Sequence, residues 1–195
     1  MKKKISIEIN KIKKELYVEE SISYFDKKGF KNSKISEIAK ELHTSVGTIY
    51  NLFNSKEELY LEYLIYKLKV FMGILNSKKT NIPLKNLENY LKYKYEIFIQ
   101  IDENKNLPII NDPYFFHKLD ISSNPVVEEI YIYLELQFKH IIKEPHISHR
   151  NLAILFKKFS DGFIESYITE EFETKNIIDI TLDMFLNGVI KNENS

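Results

Sequence analysis

Cysteine is absent from this chain of 195 residues, which excludes disulfides, thiolate nucleophiles, zinc–thiolate sites and iron–sulfur clusters together. Glycine and proline are scarce, five of each, so few backbone breakers interrupt the chain. Arginine occurs only at Arg150, and alanine only at Ala39 and Ala153. With no guanidinium in the N-terminal region, guanine contact by a bidentate guanidinium is unavailable there, and any nucleic-acid readout must lean on hydroxyls, amides, lysines and DNA shape. No run of about eighteen uncharged apolar residues occurs, so no membrane span is expected. Lys2-Lys3-Lys4 is followed by the alternation Ile5-Ser6-Ile7-Glu8-Ile9-Asn10, which has no continuous apolar segment and does not read as an export signal; a cytoplasmic protein is expected. Phosphate-cradling GxxxxGK[ST], dinucleotide GxGxxG and nucleophile GxSxG motifs are all missing. His146 and His149 have a ligand-like spacing but no third ligand nearby, and Glu57-Glu58 and Glu170-Glu171 read as solvated faces. The expectation is a protein that is not an enzyme and holds neither metal nor cofactor.

What is present points to a helical globular protein. Apolar residues make up 44% and charged residues 29% of the chain, inside the globular range. The 28 basic and 28 acidic residues cancel, so any electrostatic function must be local. Residues 1–60 hold 12 lysines against 9 acids, a balance of +3, which leaves −3 for the remainder. Apolar residues recur at three and four positions, the helical period, and the fold class is all-α. A first helix over about 6–28 places Ile9, Ile12, Leu16, Ile22 and Phe25 on one face and stops at Gly29. Short helices follow over 33–42 and from Ser45. Ser55 caps a long helix to about residue 76, with acids in its first turn. Later helices are read over about 83–102, 113–119, 124–142, 148–169 and 176–190, with Pro83, Pro113 and Pro125 suited to first turns.

The two short helices joined by His43-Thr44-Ser45 have the layout of a helix-turn-helix, whose second helix can enter a DNA major groove. The same layout also occurs as plain scaffolding. The run Gly29-Phe30, then Ile35-Ser36-Glu37-Ile38-Ala39-Lys40-Glu41-Leu42-His43-Thr44-Ser45-Val46-Gly47-Thr48-Ile49-Tyr50-Asn51-Leu52-Phe53-Asn54-Ser55-Lys56-Glu57-Glu58-Leu59-Tyr60, resembles the DNA-binding domain of the tetracycline-repressor (TetR) family of bacterial transcriptional regulators. His43 stands where that family usually has glycine, and Thr44 replaces the usual apolar residue. The closing stretch Asp183-Met184-Phe185-Leu186-Asn187-Gly188-Val189-Ile190 is also similar to the end of many members.

The resemblance implies a three-helix, helix-turn-helix DNA-binding domain over 1–55, followed by a larger helical ligand-binding and dimerisation domain over 56–195. It implies that Thr44, Ser45 and Thr48, at the start of the recognition helix, face bases or phosphates, that Tyr50 and Lys56 bind phosphate, that Ser33, Lys34 and Ser36 touch backbone, and that Asn51 reads a base or a phosphate. Ile38, Ala39, Ile49, Leu52 and Phe53 are expected in the core. Lys2, Lys3, Lys4 and Lys14 are placed to reach a minor groove or phosphates, or form a solvated tail.

A balance of only +3 predicts weak binding by one copy, so two copies are needed to sum enough phosphate contacts. The C-terminal helices carry broad apolar faces that one subunit need not fill, with Leu155, Phe159, Gly162, Phe163, Leu182, Phe185, Leu186 and Val189 as candidate homodimer residues. The middle of the chain is rich in rings, which at helical spacing build either a core or a pocket. The resemblance implies a small apolar or aromatic effector there, with Phe71, Leu75, Tyr90, Phe98, Phe116, His117, Tyr131 and Leu134 as candidate lining. The resulting expectation is a repressor that binds a palindromic operator in double-stranded DNA as a homodimer and is released by the effector. The alternative is a helical ligand-binding or protein-interaction module that has lost operator affinity.

Overall fold

The computed structural model describes residues 2–98, 124–168 and 176–189, and every regular element among them is an α-helix. In chain order these are α1 (Lys2–Lys28), α2 (Ile35–Glu41), α3 (Val46–Phe53), α4 (Lys56–Ser77), α5 (Pro83–Phe98), α6 (Pro125–Ile141), α7 (His149–Ile168) and α8 (Ile177–Val189). The short helix expected near 113–119 lies outside the described residues. The chain divides into two compact units, the first containing residues 1–68 and the second containing 69–105 and 122–195.

In the first unit, local chemistry sets most helix ends. Gly29 adopts φ 66, and its N–H donates to the Phe25 carbonyl at 2.8 Å, which closes α1 in the left-handed conformation glycine accepts at no steric cost. Ser55 accepts the Glu58 N–H at 3.0 Å and opens α4. The core is built from Phe25, Ile38, Ile49 and Phe53 together with Leu59, Tyr60 and Tyr63 from α4. Tyr60 meets Phe25 at 5.1 Å and stacks on Tyr63 at 5.4 Å between ring centroids. Asp26 accepts hydrogen bonds from the Tyr63 hydroxyl and, at 2.9 Å, from the Lys67 ammonium. Burial and the Asp26 carboxylate push the Tyr63 hydroxyl pKa well above its ordinary value. These contacts carry the first unit through Leu68, past the turn at residue 55.

One expectation for α1 needs correction. Phe25 is buried, but Ile9, Ile12 and Leu16 are exposed. The face that docks is set by Lys14, Val18, Ser21 and Phe25, and at 3.6 residues per turn the isoleucine stripe lies half a turn away from it. The sequence shows the stripe but not which side of the helix the domain takes.

In the second unit, Asn124 caps α6 by accepting the Val126 N–H at 3.1 Å, with Pro125 in the first turn where its missing N–H is harmless. The core is a chain of rings. Phe71 meets Tyr90 at 5.6 Å, Tyr90 meets Phe156 at 5.7 Å, and Phe156 meets Phe138 at 5.5 Å and Phe185 at 4.9 Å. Polar groups inside are paired. Asn86 donates to Gln137 at 2.9 Å, and the Asp161 carboxylate takes Lys94 at 2.5 Å and Lys157 at 2.8 Å, with Ser160 accepting from Lys94 at 2.7 Å. Such a cluster links α5 to α7, because breaking one partner leaves a buried charge uncompensated.

Candidate DNA-binding surface

The surface is built by the turn between α2 and α3. The Thr44 N–H returns to the Ala39 carbonyl at 2.9 Å and that of His43 to Lys40 at 3.2 Å, which closes α2. His43 takes φ 48, the left-handed conformation that glycine usually supplies at such a turn. An L side chain there costs about 1–2 kcal/mol, and the turn is nevertheless made. Ser45, in extended conformation, accepts the Thr48 N–H at 3.0 Å and caps α3.

The apolar spacing of α3 then divides its residues. Ile49, Leu52 and Phe53 are buried and hold the helix against the unit, as are Ile38 and Ala39 of α2. Ser45, Val46, Gly47, Tyr50 and Asn51 are exposed, with Tyr50 at 46%, while Thr44 and Thr48 are half-buried. Each hydroxyl at the head of α3 has a partner. Ser45 and Thr48 share a hydrogen bond of 2.8 Å, and Thr44 accepts from the Tyr17 hydroxyl at 3.2 Å. A helix leaves its first N–H groups without helical acceptors, and with Ser45 taking that of Thr48, the exposed Val46 and Gly47 lie where the positive end of the helix dipole favours an anion.

Val46 and Gly47 were not singled out by the sequence reading. A Cβ built on Gly47 would meet only Ser45 Oγ at 3.7 Å, so nothing inside the chain requires glycine there. The signal for both was their position, between the cap and Tyr50 on the outward face.

Lys34 and Ser36 are exposed at the start of α2. Ser33 is not. It is 2% exposed and donates to the Gly29 carbonyl at 2.5 Å, so its hydroxyl fastens the chain leaving α1 and does not face an outside partner. Lys56 is half-buried and committed inside the unit. Its ammonium donates to the carbonyls of Phe30 at 3.0 Å and Ser33 at 3.1 Å and lies 4.1 Å from the Phe30 ring centroid. An ammonium has three hydrogens, so a phosphate contact would use the third alone.

Several of the surrounding charges are paired. Glu37 takes Lys28 at 2.7 Å and the Tyr24 hydroxyl, and lies 3.9 Å from Lys34. The Lys28 hydrogen bond, with that of Tyr24, holds the Glu37 carboxyl below its usual range. Glu58 is likewise held by Lys14 at 2.9 Å and Asn54 at 2.7 Å. Glu37 of α2 and Glu58 of α4 thus have cationic partners.

In the second unit the residues expected to line a pocket separate. Phe71, Leu75, Tyr90 and Leu134 are buried in the ring core, and Tyr131 is half-buried with the Arg150 guanidinium 4.7 Å from its ring centroid. The side chain of Phe98, and Phe116 and His117, lie outside the described residues. A cavity of about 330 Å³ in this unit is lined by other residues, among them Lys69, Met72, Asn76, Asn124 and Glu129.

The expected dimer residues also divide. Leu155 is 49% exposed, Gly162 is exposed, and Phe159, Phe163, Leu182 and Leu186 are half-buried. Phe185 is a correction: it is buried within its own subunit against Phe138, Phe156 and Phe159, the last at 5.7 Å. The side chain of Val189 lies outside the described residues. Met184, 55% exposed, joins the outward face instead. Among the described residues no group of three or more His, Asp or Glu is placed to hold a metal ion, and no helix is long and apolar enough to cross a membrane.

The family model described as bacterial regulatory proteins, tetR family, matches residues 18–63, which takes in the C-terminal part of α1, the helix-turn-helix and the start of α4. Over 103 residues the chain is 39% identical to the uncharacterized HTH-type transcriptional regulator YuxN of Bacillus subtilis (strain 168), covering 48% of this chain and 35% of that protein. The match thus spans about a third of the length of this curated relative. Among solved structures, the transcriptional regulator FadR from Bacillus subtilis, in complex with stearoyl-CoA, is similar with a TM-score of 0.63 at 13% identity, covering 89% of this chain and 98% of that one. BioQ with its double-stranded DNA operator is similar with a TM-score of 0.64 at 14% identity, covering 90% and 96%. At such identities these likenesses establish the fold alone. The capped α3, with its buried and exposed faces, thus lies inside the segment, residues 18–63, that matches the family model, and the likeness to the tetR family of bacterial regulatory proteins is carried by that segment.

Proposed function

We propose that the chain is a transcriptional repressor that binds a palindromic operator as a homodimer and is released by a small apolar effector. The observation that carries this reading is the division of α3. Ile49, Leu52 and Phe53 anchor it, while Tyr50, Asn51 and the Ser45 end of the helix face outward with no apolar side chain larger than Val46 and the Tyr50 ring among them. In this reading α3 enters the major groove, Tyr50 donates its phenolic hydrogen to a phosphate, and Ser45, Thr48 and Asn51 meet bases or phosphates. Lys34 and Ser36 hold the neighbouring backbone.

Two copies are joined through Leu155, Phe159, Phe163, Leu182 and Leu186. Gly162 supports close approach, since a Cβ built there meets nothing within 4 Å of its own chain. Twofold pairing sets two recognition helices to match major grooves about 34 Å apart. The effector acts by binding better to a form in which that spacing is lost. The similarity to FadR, a protein solved in complex with stearoyl-CoA, supports an effector that carries an apolar chain.

The test is to mix the purified chain with sheared genomic fragments and with the DNA upstream of its own gene, recover what is retained, and footprint it. The reading predicts protection of two inverted half-sites on one face of the duplex. Retention of no fragment at low salt would leave only a helical binding module that has lost operator affinity.

A further inference from the structure

The outward stripe of α1 takes no part in the surface described above. Ile5, Ile9, Ile12 and Leu16 are 46–52% exposed and stand at spacings of four, three and four residues, the seam pattern of a two-stranded coiled coil. The stripe lies opposite the side that Lys14, Val18 and Ser21 use to dock on the first unit, so the helix can be held by its own domain and still present the whole seam. Its two flanks differ in charge. Glu8 and Glu15 border one side and Lys13 the other, and all three are exposed.

We propose that this seam pairs in parallel with the same segment of a second copy of the chain. In a parallel pair, the Glu8 flank of one helix lies against the Lys13 flank of the other, twice by symmetry. An antiparallel pair would set Glu8 beside Glu15 and lose both attractions. A lipid surface would meet the two acids at its headgroups along one whole flank. The seam is bounded by charge: the next position after Leu16 is Glu19, and Glu15 would face Glu20, so pairing stops where Val18 turns into the core. Two heptads alone associate weakly, so the contact works between copies already held near one another. With copies seated on DNA, it would couple occupancy of neighbouring sites; that consequence rests on the repressor reading, whereas the seam does not.

The absence of cysteine allows a direct test without DNA. Single variants Ile9→Cys, on the seam, and Lys11→Cys, off it, are oxidised with glutathione disulfide at tens of micromolar full-length chain, and covalent dimer is followed over time. Both positions are exposed, and circular dichroism checks that each variant keeps its helix content. Parallel pairing predicts crosslinking of Ile9→Cys roughly tenfold faster than Lys11→Cys. Adding Lys13→Glu should slow it by about threefold, because both flank attractions become repulsions. Equal rates at the two positions overturn the proposal. So does faster crosslinking in a mixture of Ile5→Cys with Leu16→Cys than in Ile9→Cys alone, which would mean antiparallel pairing. Sedimentation of the chain with phosphatidylglycerol vesicles, together with loss of the Ile9→Cys crosslink, would assign the stripe to a lipid surface instead.

Discussion

Tyr50 in the first unit stands 46% exposed on α3, whereas Tyr90 in the second is buried between Phe71 and Phe156, its hydroxyl pushed well above its ordinary pKa by burial. Both tyrosines lie on amphipathic helices, and both were candidate contacts for an outside partner. The difference is the length scale that decides their surroundings. Around Tyr50, a turn, a cap and the apolar triplet Ile49, Leu52 and Phe53 act within a dozen residues and leave one face of α3 to solvent. Around Tyr90, rings from α4, α6, α7 and α8 converge from positions far apart in the chain, and the aromatic stripe closes into a core.

Substitutions in each region sharpen this contrast. The largest effect is expected in the ring core. Phe156→Ala removes the ring that touches Tyr90, Phe138 and Phe185 and should lower unfolding free energy by about 3–5 kcal/mol in urea titrations. A loss under about 1 kcal/mol would mean the rings enclose space and not one another.

On the outward face of the same unit, Leu155→Glu should leave stability unchanged and weaken self-association by about a hundredfold, read by sedimentation over a concentration series. An unchanged association constant would remove α7 from the interface.

In the first unit, Lys56→Met separates a structural from a contact role. With two carbonyls deprived of their ammonium, thermal and urea unfolding should show a loss of about 1–3 kcal/mol. Full stability with reduced DNA affinity would instead assign Lys56 to the operator.

Tyr50→Phe keeps the ring and deletes only the hydroxyl. DNA affinity by fluorescence anisotropy should fall about tenfold, with unfolding unaffected because the group is exposed. Unaltered affinity would take Tyr50 out of the contact set.

The smallest effect concerns pH. Glu37 is held below its ordinary carboxyl pKa by Lys28 and Tyr24, so its contribution is present above the unfolded-state value and is lost as pH falls through the lowered folded-state value. Glu37→Gln should therefore lower stability slightly at and above neutrality, with the difference from the parent closing as pH falls, so that the acid limb of the profile is slightly flatter. An identical acid limb in the variant would show that the Lys28 pairing adds nothing to folding.

Much of the first unit was legible because its signals are local. Gly29 ends α1, Ser45 and Ser55 cap α3 and α4, and Asn124-Pro125 opens α6 in the second unit, each through a bond spanning a few residues. What the sequence hides depends on distant partners. The buried side of α1 is chosen by residues such as Glu58, 44 positions beyond Lys14. Lys56 is drawn inward by carbonyls 26 and 23 positions before it. Asp161 collects Lys94 from 67 positions away, and Ser33 is buried by the chain's exit from α1. Phe185 turned inward for the same reason: helical periodicity shows that α8 is apolar on several sides without saying which side its own subunit takes.

The most direct measurement is a salt titration of the purified chain on its recovered fragment and on a scrambled duplex of equal length. A homodimer with paired recognition helices predicts a steep linear fall of log affinity with log salt on both, about six phosphates or more in slope, and tighter binding to the recovered fragment by about a thousandfold. A flat salt dependence, or equal affinity for the two duplexes, would contradict it.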